Sequence, residues 1–503
     1  MKKSLTVLDH LVPILLGCGL AVPYLSTMAP GLTWANYGSD GGDLIAAAAT
    51  GGVAHPNGYP VYLLVAQLFQ LIPIGTLAYR TNLMSGAAMV AAALLVYGGV
   101  TRFLSGTWKR SSRLSGLAAA CAFGLAPLVW SQAVITEVYA LQAFFIALIF
   151  YLCMLPVSPH QERLCGLALG LALRTHLTSI LLVPAVVLAN AIQKRIPEDP
   201  ARPFGNSGGQ VLHLNGRSLL RQSIFLLAGS LIYLTLPIRA GSHPAVNWGD
   251  PITLQRFWWL ISGKLYQPDL SGIAIPMLWE RVRSWAALFV EQFGVAGLIL
   301  GLMGLIVFFL PTRLHMITLW AAISFSGFAI VYGTTDSFVY LIPAFLSFAI
   351  WIGLGLDGVL EILSQGLPGL RMVFGLLFAA YIFGLAFFNG PLVDASHDRR
   401  AEIFGGEVMT AAPSNAILFA TGDRAIFALW YFHFALHERP DMVVIANDLL
   451  PFDWYRGSLQ STYPDLQLPD NTNKPWFAAI SQANSARPVC FLVNIEKVEI
   501  NCR

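Results

Sequence analysis

Two aspartates three residues apart, Asp40 and Asp43, begin the segment of this sequence that is best suited to chemistry. The segment runs through small residues to His55-Pro56-Asn57-Gly58-Tyr59-Pro60, where two prolines and a glycine predict an irregular backbone. Acidic groups at a membrane surface are costly unless they face water, a partner or a metal. The pattern therefore indicates a candidate active-site loop. A helix N-cap at Asp40 with a first-turn acid at Asp43 is the alternative interpretation.

The composition places this loop in a membrane protein. Of the 503 residues, 56% are hydrophobic and 11% are charged, whereas soluble domains carry about 25% charged residues. Apolar blocks of about 20 residues recur, which is the length that an α-helix needs to cross the hydrocarbon core. We expect a mainly α, polytopic helical membrane protein, and no nucleic-acid partner.

Eleven transmembrane helices fit these blocks, with residues 61–74 forming a further helix along the membrane surface. Basic residues cluster at 2–3, 102–113, 163, 194–221, 313 and 371, and the short outer loops before residue 239 hold only Arg80 and Arg174. This bias predicts a cytoplasmic N-terminus by the positive-inside rule. The spans are predicted at about 8–28, 81–104, 114–131, 134–155, 163–175, 177–193, 219–238, 285–310, 314–332, 338–360 and 370–390.

An odd number of spans places the C-terminal segment outside the cytoplasm. We therefore expect a transmembrane domain at 1–390, with its first outer loop at 29–80, and an extracytoplasmic domain at 391–503. Short apolar runs in the second domain predict strands between helices, and so a small α/β fold. Cys490 and Cys502 can pair if this region is outside, although their spacing alone does not require it. The predicted strands are Ala416–Ala420, Met442–Ile445 and Val489–Val493.

The predicted topology collects ionisable and phenolic residues from four turns on the outer face. The first loop contributes Asp40, Asp43 and His55, and the other turns contribute Glu137, Arg174, His176, Asp336 and Tyr340. Each residue alone can be a helix cap or a satisfied interface residue. Together they predict an outward-facing polar cavity. A carboxylate there can act as a general base toward a hydroxyl, and Arg174 and His176 can bind a phosphate at the depth of the lipid headgroups.

The outer loop at 239–284 adds aromatic residues whose role the sequence leaves open. Trp248, Trp258, Trp259 and Tyr266 suit the membrane interface and also suit stacking on a sugar. Asp250, Arg256 and Lys264 in the same loop are within reach of the rim of a cavity on this face.

Several motifs in one order resemble a known family. They are the acidic pair, HPNGYP, AYRTNLMSG, TEVYAL, GLALRTHLTS and LPIRAGSHPAVNWGDP, followed by AILFATGDRAIFALWYFHFALHERPDMVVIANDLLPFDWY in the tail. The pattern is similar to the multi-pass family that includes the animal protein O-mannosyltransferase transmembrane protein 260, within the GT-C glycosyltransferases. The resemblance implies a GT-C-like fold and a polyprenyl-phosphate-linked sugar donor.

The resemblance also implies roles for single residues. Asp40 and Asp43 match the acidic pair, one of which would be the catalytic base. His55 and Tyr59 match the element that would shape the donor or acceptor pocket, Glu137 matches an acid at the second outer turn, and His176 matches a residue near the donor phosphate.

The resulting hypothesis is an inverting glycosyltransferase of the cytoplasmic (inner) membrane. It would transfer a sugar, with mannose suggested by the animal relatives, to a hydroxyl of a protein or glycan acceptor. Clustered carboxylates are also compatible with a divalent metal ion, although no ligand spacing requires one. A lipid or solute transporter and a non-catalytic GT-C-like subunit of a membrane complex remain the alternatives. Sugar transfer that depends on Asp40 or Asp43 distinguishes the enzyme from both.

Overall fold

A computed structural model describes residues 7–105, 112–194, 210–212, 215–270, 273, 275–307, 313–366, 368–469 and 475–502. Lys2, Lys3 and part of the basic clusters at 102–113 and 194–221 lie outside these ranges, as do residues 308–310 of the eighth predicted span.

The chain is mainly helical, with sixteen described α-helices up to Val393. These helices are α1 (Val7–Thr27), α2 (Gly41–Ala49), α3 (Pro60–Gln70), α4 (Leu77–Ser105), α5 (Ser112–Gly124), α6 (Pro127–Ala133), α7 (Tyr139–Met154), α8 (Pro159–Thr175), α9 (Val183–Ala191), α10 (Gly216–Ser230), α11 (Thr235–Ala240), α12 (Leu254–Ile261), α13 (Ile275–Val307), α14 (Arg313–Val331), α15 (Ile342–Gly366) and α16 (Pro368–Val393). A short antiparallel pair, β1 (Ile192–Lys194) and β2 (Gln210–Leu212), follows α9.

All eleven predicted spans coincide with helical segments, but they differ in length. Within the described residues, seven helices are long and apolar enough to cross a membrane, or eight if α5 and α6, bent by 69°, form one span. The apolar helices α3, α7 and Leu177–Val187 are shorter. Several predicted boundaries were wrong: α7 begins at Tyr139 and not near 134, α13 begins at Ile275 and not near 285, and residues 192–193 belong to β1.

The centre of the helical bundle is α15, which is buried along most of its length. It approaches α13 closely because glycines face the neighbouring backbone. A Cβ added at Gly304 would lie 1.9 Å from the Trp351 carbonyl oxygen, and one added at Gly355 would lie 1.9 Å from that of Leu300. Small residues allow this separation, as is common between membrane helices. The helices α13 and α15 are therefore closely packed at the centre of the bundle.

The C-terminal segment contains a four-stranded sheet with order β4-β3-β5-β6. The strand β3 pairs in parallel with β4 and β5, and β6 is antiparallel to β5. The predicted α/β character is thus confirmed, and the strands lie within one residue of three predicted runs. Cys490 and Cys502 are directly opposed on β5 and β6 and form a disulfide. The elements are α17 (Arg400–Ala411), β3 (Ile417–Ala420), α18 (Asp423–Trp430), β4 (Val443–Ala446), α19 (Asp453–Thr462), α20 (Trp476–Ala483), β5 (Val489–Asn494) and β6 (Glu499–Cys502).

The C-terminal segment packs directly on the acidic loop through α18 and α2. A Cβ added at Gly42 would lie 2.1 Å from the Phe427 carbonyl oxygen, so only glycine fits at this contact. The Phe427 ring also stacks on His55, with ring centroids 6.0 Å apart. The two parts of the chain therefore share one surface at the candidate site.

Candidate functional site

Asp43 is an internal anchor of the site. It lies in the first turn of α2 and is 0% exposed. Its Oδ2 accepts hydrogen bonds from the His55 backbone N–H at 3.0 Å and from His55 Nδ1 at 2.7 Å, and its Oδ1 accepts one from Trp248 Nε1 at 2.9 Å. Three donors from two other segments thus satisfy this buried carboxylate. Asp43 fixes the orientation of His55 and has no oxygen facing the solvent.

Asp40 has a different environment although it lies only one helical turn away. It occupies the N-cap position of α2, but its side chain makes no capping hydrogen bond, so the capping interpretation of Asp40 was wrong. The carboxylate accepts a hydrogen bond from Ser39 Oγ at 3.1 Å and lies 3.5 Å from His55 Nε2. Its side chain is 31% exposed and lines a cavity. Burial raises the pKa of Asp40 despite the opposing effect of His55.

His55 bridges the two aspartates. Burial opposes protonation of the imidazole, but the charges of Asp40 and Asp43 outweigh it and raise the pKa of His55 to about 9. Near neutral pH, this histidine is therefore a cation held between two carboxylates. The Tyr59 ring meets it edge-on at 4.9 Å, and the Tyr59 hydroxyl donates to the Pro56 carbonyl oxygen.

The charge on His55 predicts a pH-dependent contribution to stability. Because the folded pKa of about 9 lies above the ordinary value of 6.5, the contribution is complete below about pH 6.5 and is lost as the pH rises through about 9. We expect the melting temperature of His55→Gln in detergent to lie below that of the wild type by a margin that shrinks as the pH is raised from about 6 to about 10. A margin that is constant or widens above about pH 9 would contradict the ion pairs.

The cavity beside Asp40 has a volume of about 600 Å³. Of the residues predicted from sequence, the structure brings six to its wall, and Tyr139, Tyr266 and residues of the C-terminal segment complete it. The six predicted residues in the wall are Asp40, His55, Tyr59, His176, Asp336 and Tyr340.

Glu137 lies behind the wall and is buried. The backbone amides of Asp40 and Val138 face its carboxyl group, but burial and the Asp40 charge dominate and raise the pKa of Glu137 well above its usual range. Its geometry indicates a support for the Asp40 backbone.

His176 is neutral, in contrast to His55. Burial lowers its pKa to about 3. Its Nδ1 lies 2.8 Å from Thr178 Oγ1, and the rings of Tyr139 and Tyr340 pack against it, each with centroids 5.6 Å away. A neutral imidazole can exchange a hydrogen bond with a ligand, but it supplies no positive charge.

Arg174 is directed away from the cavity. Its Nη2 donates to Ser230 Oγ at 2.9 Å, and its guanidinium lies 4.1 Å above the centre of the Tyr233 ring. Both partners belong to the segment containing α10 and the turn after it. Arg174 is not among the residues of the cavity wall.

Asp336 and Tyr340 enter the wall from the segment before α15. Asp336 precedes the 3-10 helix Ser337–Leu341, and its side chain makes no capping hydrogen bond there. The Tyr340 ring meets Tyr139 edge-on at 5.7 Å. Within the described part of the chain, no group of three or more His, Cys, Asp or Glu residues is arranged to hold a metal ion. The divalent metal ion thus stays a prediction, and no step below uses one.

Comparisons with known proteins match the segments that form this site. The family described as "Protein O-mannosyl-transferase TMEM260 N-terminal domain" matches residues 40–198, which include both aspartates and the turns of Glu137 and His176. A second family, "TMEM260-associated domain 2", matches residues 401–475. These two matches show that the chain is similar to the TMEM260 family over these segments. The predicted resemblance is confirmed.

Two relatives of this chain are named proteins. The chain is 26% identical over 481 residues to "Protein O-mannosyl-transferase TMEM260" of Mus musculus, covering 87% of this chain and 63% of that protein. It is 23% identical over 544 residues to the Dictyostelium discoideum protein of the same name, covering 95% of this chain and 61% of the relative. The chain thus spans under two thirds of the length of either relative.

A solved structure has the same fold as this chain. ArnT from Cupriavidus metallidurans, crystallised bound to undecaprenyl phosphate, superposes with a TM-score of 0.53 at 13% identity, covering 97% of this chain and 94% of that chain. The GT-C-like fold expected from the sequence is confirmed.

The fold adds four cavity or support residues that sequence reasoning did not assign to the site. Trp248 reaches Asp43 because residues 246–248 pair with Val53, which donates to the Val246 carbonyl oxygen and accepts from Trp248 N–H. Tyr266, Asp423 and Arg424 line the cavity. Desolvation in the wall and repulsion from Asp40 raise the pKa of Asp423 to about 6. The available signal for Asp423 and Arg424 was their place directly after a parallel strand, where ligand sites commonly lie.

Proposed function

We propose that this chain is a membrane glycosyltransferase that transfers a sugar from a polyprenyl-phosphate-linked donor to an acceptor hydroxyl with inversion. The observation that carries the proposal is the solvent-facing carboxylate of Asp40 in a cavity of about 600 Å³, held 3.5 Å from His55, which Asp43 orients. Asp40 has the access that a base requires, and its raised pKa makes it a better proton acceptor than an ordinary aspartate. Asp43 lacks that access and is a positioning residue.

The proposed reaction is a single displacement at the anomeric carbon. Asp40 accepts the proton of the acceptor hydroxyl as the hydroxyl oxygen forms its bond to the sugar. The bond between the anomeric carbon and the phosphate oxygen breaks, and its electron pair leaves with polyprenyl phosphate. The neutral His176 supplies a hydrogen bond at the cavity wall, and Tyr59, Tyr139 and Tyr340 offer aromatic faces to the sugar.

The comparisons support the class of donor and acceptor. The relatives are named protein O-mannosyl-transferases, which supports mannose and a protein hydroxyl. ArnT was crystallised with undecaprenyl phosphate, which supports a polyprenyl phosphate carrier. The Cys490–Cys502 disulfide is typical of an oxidising compartment. It therefore supports the location of the C-terminal domain, residues 391–503, outside the cytoplasm, in a protein of the cytoplasmic membrane.

A direct assay tests the function. Purified chain in detergent is given polyprenyl phosphate carrying radiolabelled mannose, or another hexose in parallel, together with a membrane-protein fraction from a strain that lacks this chain. We expect label to enter the protein fraction and polyprenyl phosphate to be released. If none of the donors yields transfer while liposomes containing the chain move the lipid or a solute, the transporter alternative replaces the enzyme.

A further inference from the structure

The cavity needs a positive charge if it binds a phosphate. The carboxylates of Asp40, Asp336 and Asp423 all line it. The lowered pKa of His176 leaves that residue neutral near pH 7, and Arg174 is engaged with Ser230 and Tyr233 outside the wall. Neither residue therefore supplies the positive charge for phosphate binding that was predicted from the sequence. His55 is cationic, but its Nε2 and Nδ1 face the two catalytic-loop aspartates.

Arg424 is the single Arg or Lys side chain among the described residues of the cavity wall. It is exposed, and within the described ranges no hydrogen bond or ion pair engages its guanidinium. A guanidinium can form two parallel hydrogen bonds to a phosphate, which makes Arg better suited than Lys to hold this group. Arg424 is thus a cationic side chain that is available to bind a ligand in a predominantly acidic cavity.

A hydrogen-bonded turn in the C-terminal domain fixes the position of Arg424. Gly422, which follows β3, has φ +84 and donates its N–H to Asp448 Oδ2 at 2.8 Å. The helix α18 begins immediately after this turn and packs on α2 through Phe427 and Gly42. The same contact that places Phe427 on His55 therefore fixes the position of Arg424 relative to the acidic loop.

We propose that Arg424, supplied by the C-terminal domain, binds the phosphate of the lipid-linked donor. The inference rests on the proposed function and deepens it, because it assigns the leaving group a partner that belongs to neither the first outer loop nor the bundle. It also gives the C-terminal domain a direct part in donor binding.

Equilibrium binding of undecaprenyl phosphate to the purified full chain tests this assignment without any sugar transfer. We expect Arg424→Gln to weaken the Kd by about ten- to hundredfold, the range for one charge-assisted contact, and Arg424→Lys to recover part of it. Arg399→Gln, an exposed arginine of the same domain that pairs with Glu402, is the matched control and should bind as the wild type. Melting temperatures of all variants report whether they fold.

Binding experiments with two further ligands show which part of the lipid phosphate the site recognises. Undecaprenol, which lacks the phosphate, should bind wild type and Arg424→Gln equally weakly. Inorganic phosphate should compete poorly with the lipid, and competition as strong as that of the lipid phosphate would make the site one for free phosphate and overturn the lipid-donor assignment.

The outcomes separate this inference from the proposed function. Unchanged lipid binding by Arg424→Gln in a chain that still transfers sugar overturns the role of Arg424 and leaves the function standing. Lost binding in Arg174→Gln with intact binding in Arg424→Gln overturns it in favour of the sequence-based assignment. A wild-type chain that does not bind undecaprenyl phosphate overturns both.

Discussion

Asp40→Asn is expected to reduce sugar transfer by about 10²- to 10⁴-fold, the contribution typical of a positioned general base. The amide keeps the size of the side chain and can still accept from Ser39, but it cannot take a proton from the acceptor. Binding of the lipid phosphate should not weaken, because the substitution removes a negative charge from the cavity wall and leaves Arg424 in place. The measurement is initial rate of transfer at saturating donor, with donor affinity determined separately.

Asp43→Asn is the matched comparison for Asp40→Asn. It replaces a carboxylate that receives three hydrogen bonds, so both the melting temperature and the transfer rate should fall. The two variants therefore differ in stability: Asp40→Asn melts near the wild type and Asp43→Asn well below it. Full transfer activity in Asp40→Asn, with loss confined to a stably folded Asp43→Asn, would reverse the assignment of the base.

Gly42→Ala is expected to have the second large effect although it changes no chemical group. The added methyl would lie 2.1 Å from the Phe427 carbonyl oxygen and 2.4 Å from its carbonyl carbon. Backbone cannot yield as a flexible side chain does, so α18 must move away from α2. Overpacking of this kind typically costs about 1–3 kcal/mol. We expect transfer and lipid binding to fall together, because Arg424 moves with α18.

Limited proteolysis and a control substitution at a second glycine distinguish displacement of α18 from general destabilisation of the protein. In Gly42→Ala, the C-terminal domain should be cleaved faster than in the wild type while the bundle stays resistant. Gly406→Ala is the control, since a Cβ at this position in α17 meets no atom within 4 Å. It should retain activity and gain slightly in stability. Equal losses in both variants would contradict the proposed contact between the domains.

Hydrophobic periodicity and charge bias were sufficient to predict the helical bundle and the strands of the C-terminal segment. They could not predict helix ends at Ile275 or the 69° bend between α5 and α6, because tertiary packing and not local propensity decides these features. The spacing of Asp40 and Asp43 also predicted that they share one helical turn. It could not predict which of the two is the catalytic base.

The difference between Asp40 and Asp43 depends on partners that are distant in sequence. Trp248 lies 205 residues from the carboxylate to which it donates, and Arg424 reaches the cavity from beyond the last membrane helix. Arg174 illustrates the converse: its position at an outer turn suggested a phosphate ligand, but its guanidinium is directed to Tyr233. Side-chain direction at a turn is set by neighbouring helices, and no local pattern encodes it.

The anomeric configuration of the product tests the central claim most directly. Purified chain is incubated with a polyprenyl phosphate sugar labelled with ¹³C at the anomeric carbon, and NMR follows this carbon from donor to product. A single displacement assisted by Asp40 predicts product with inverted configuration, formed in step with released polyprenyl phosphate and strongly slowed in Asp40→Asn. Retained configuration, or inverted product formed equally fast by Asp40→Asn, would contradict the account.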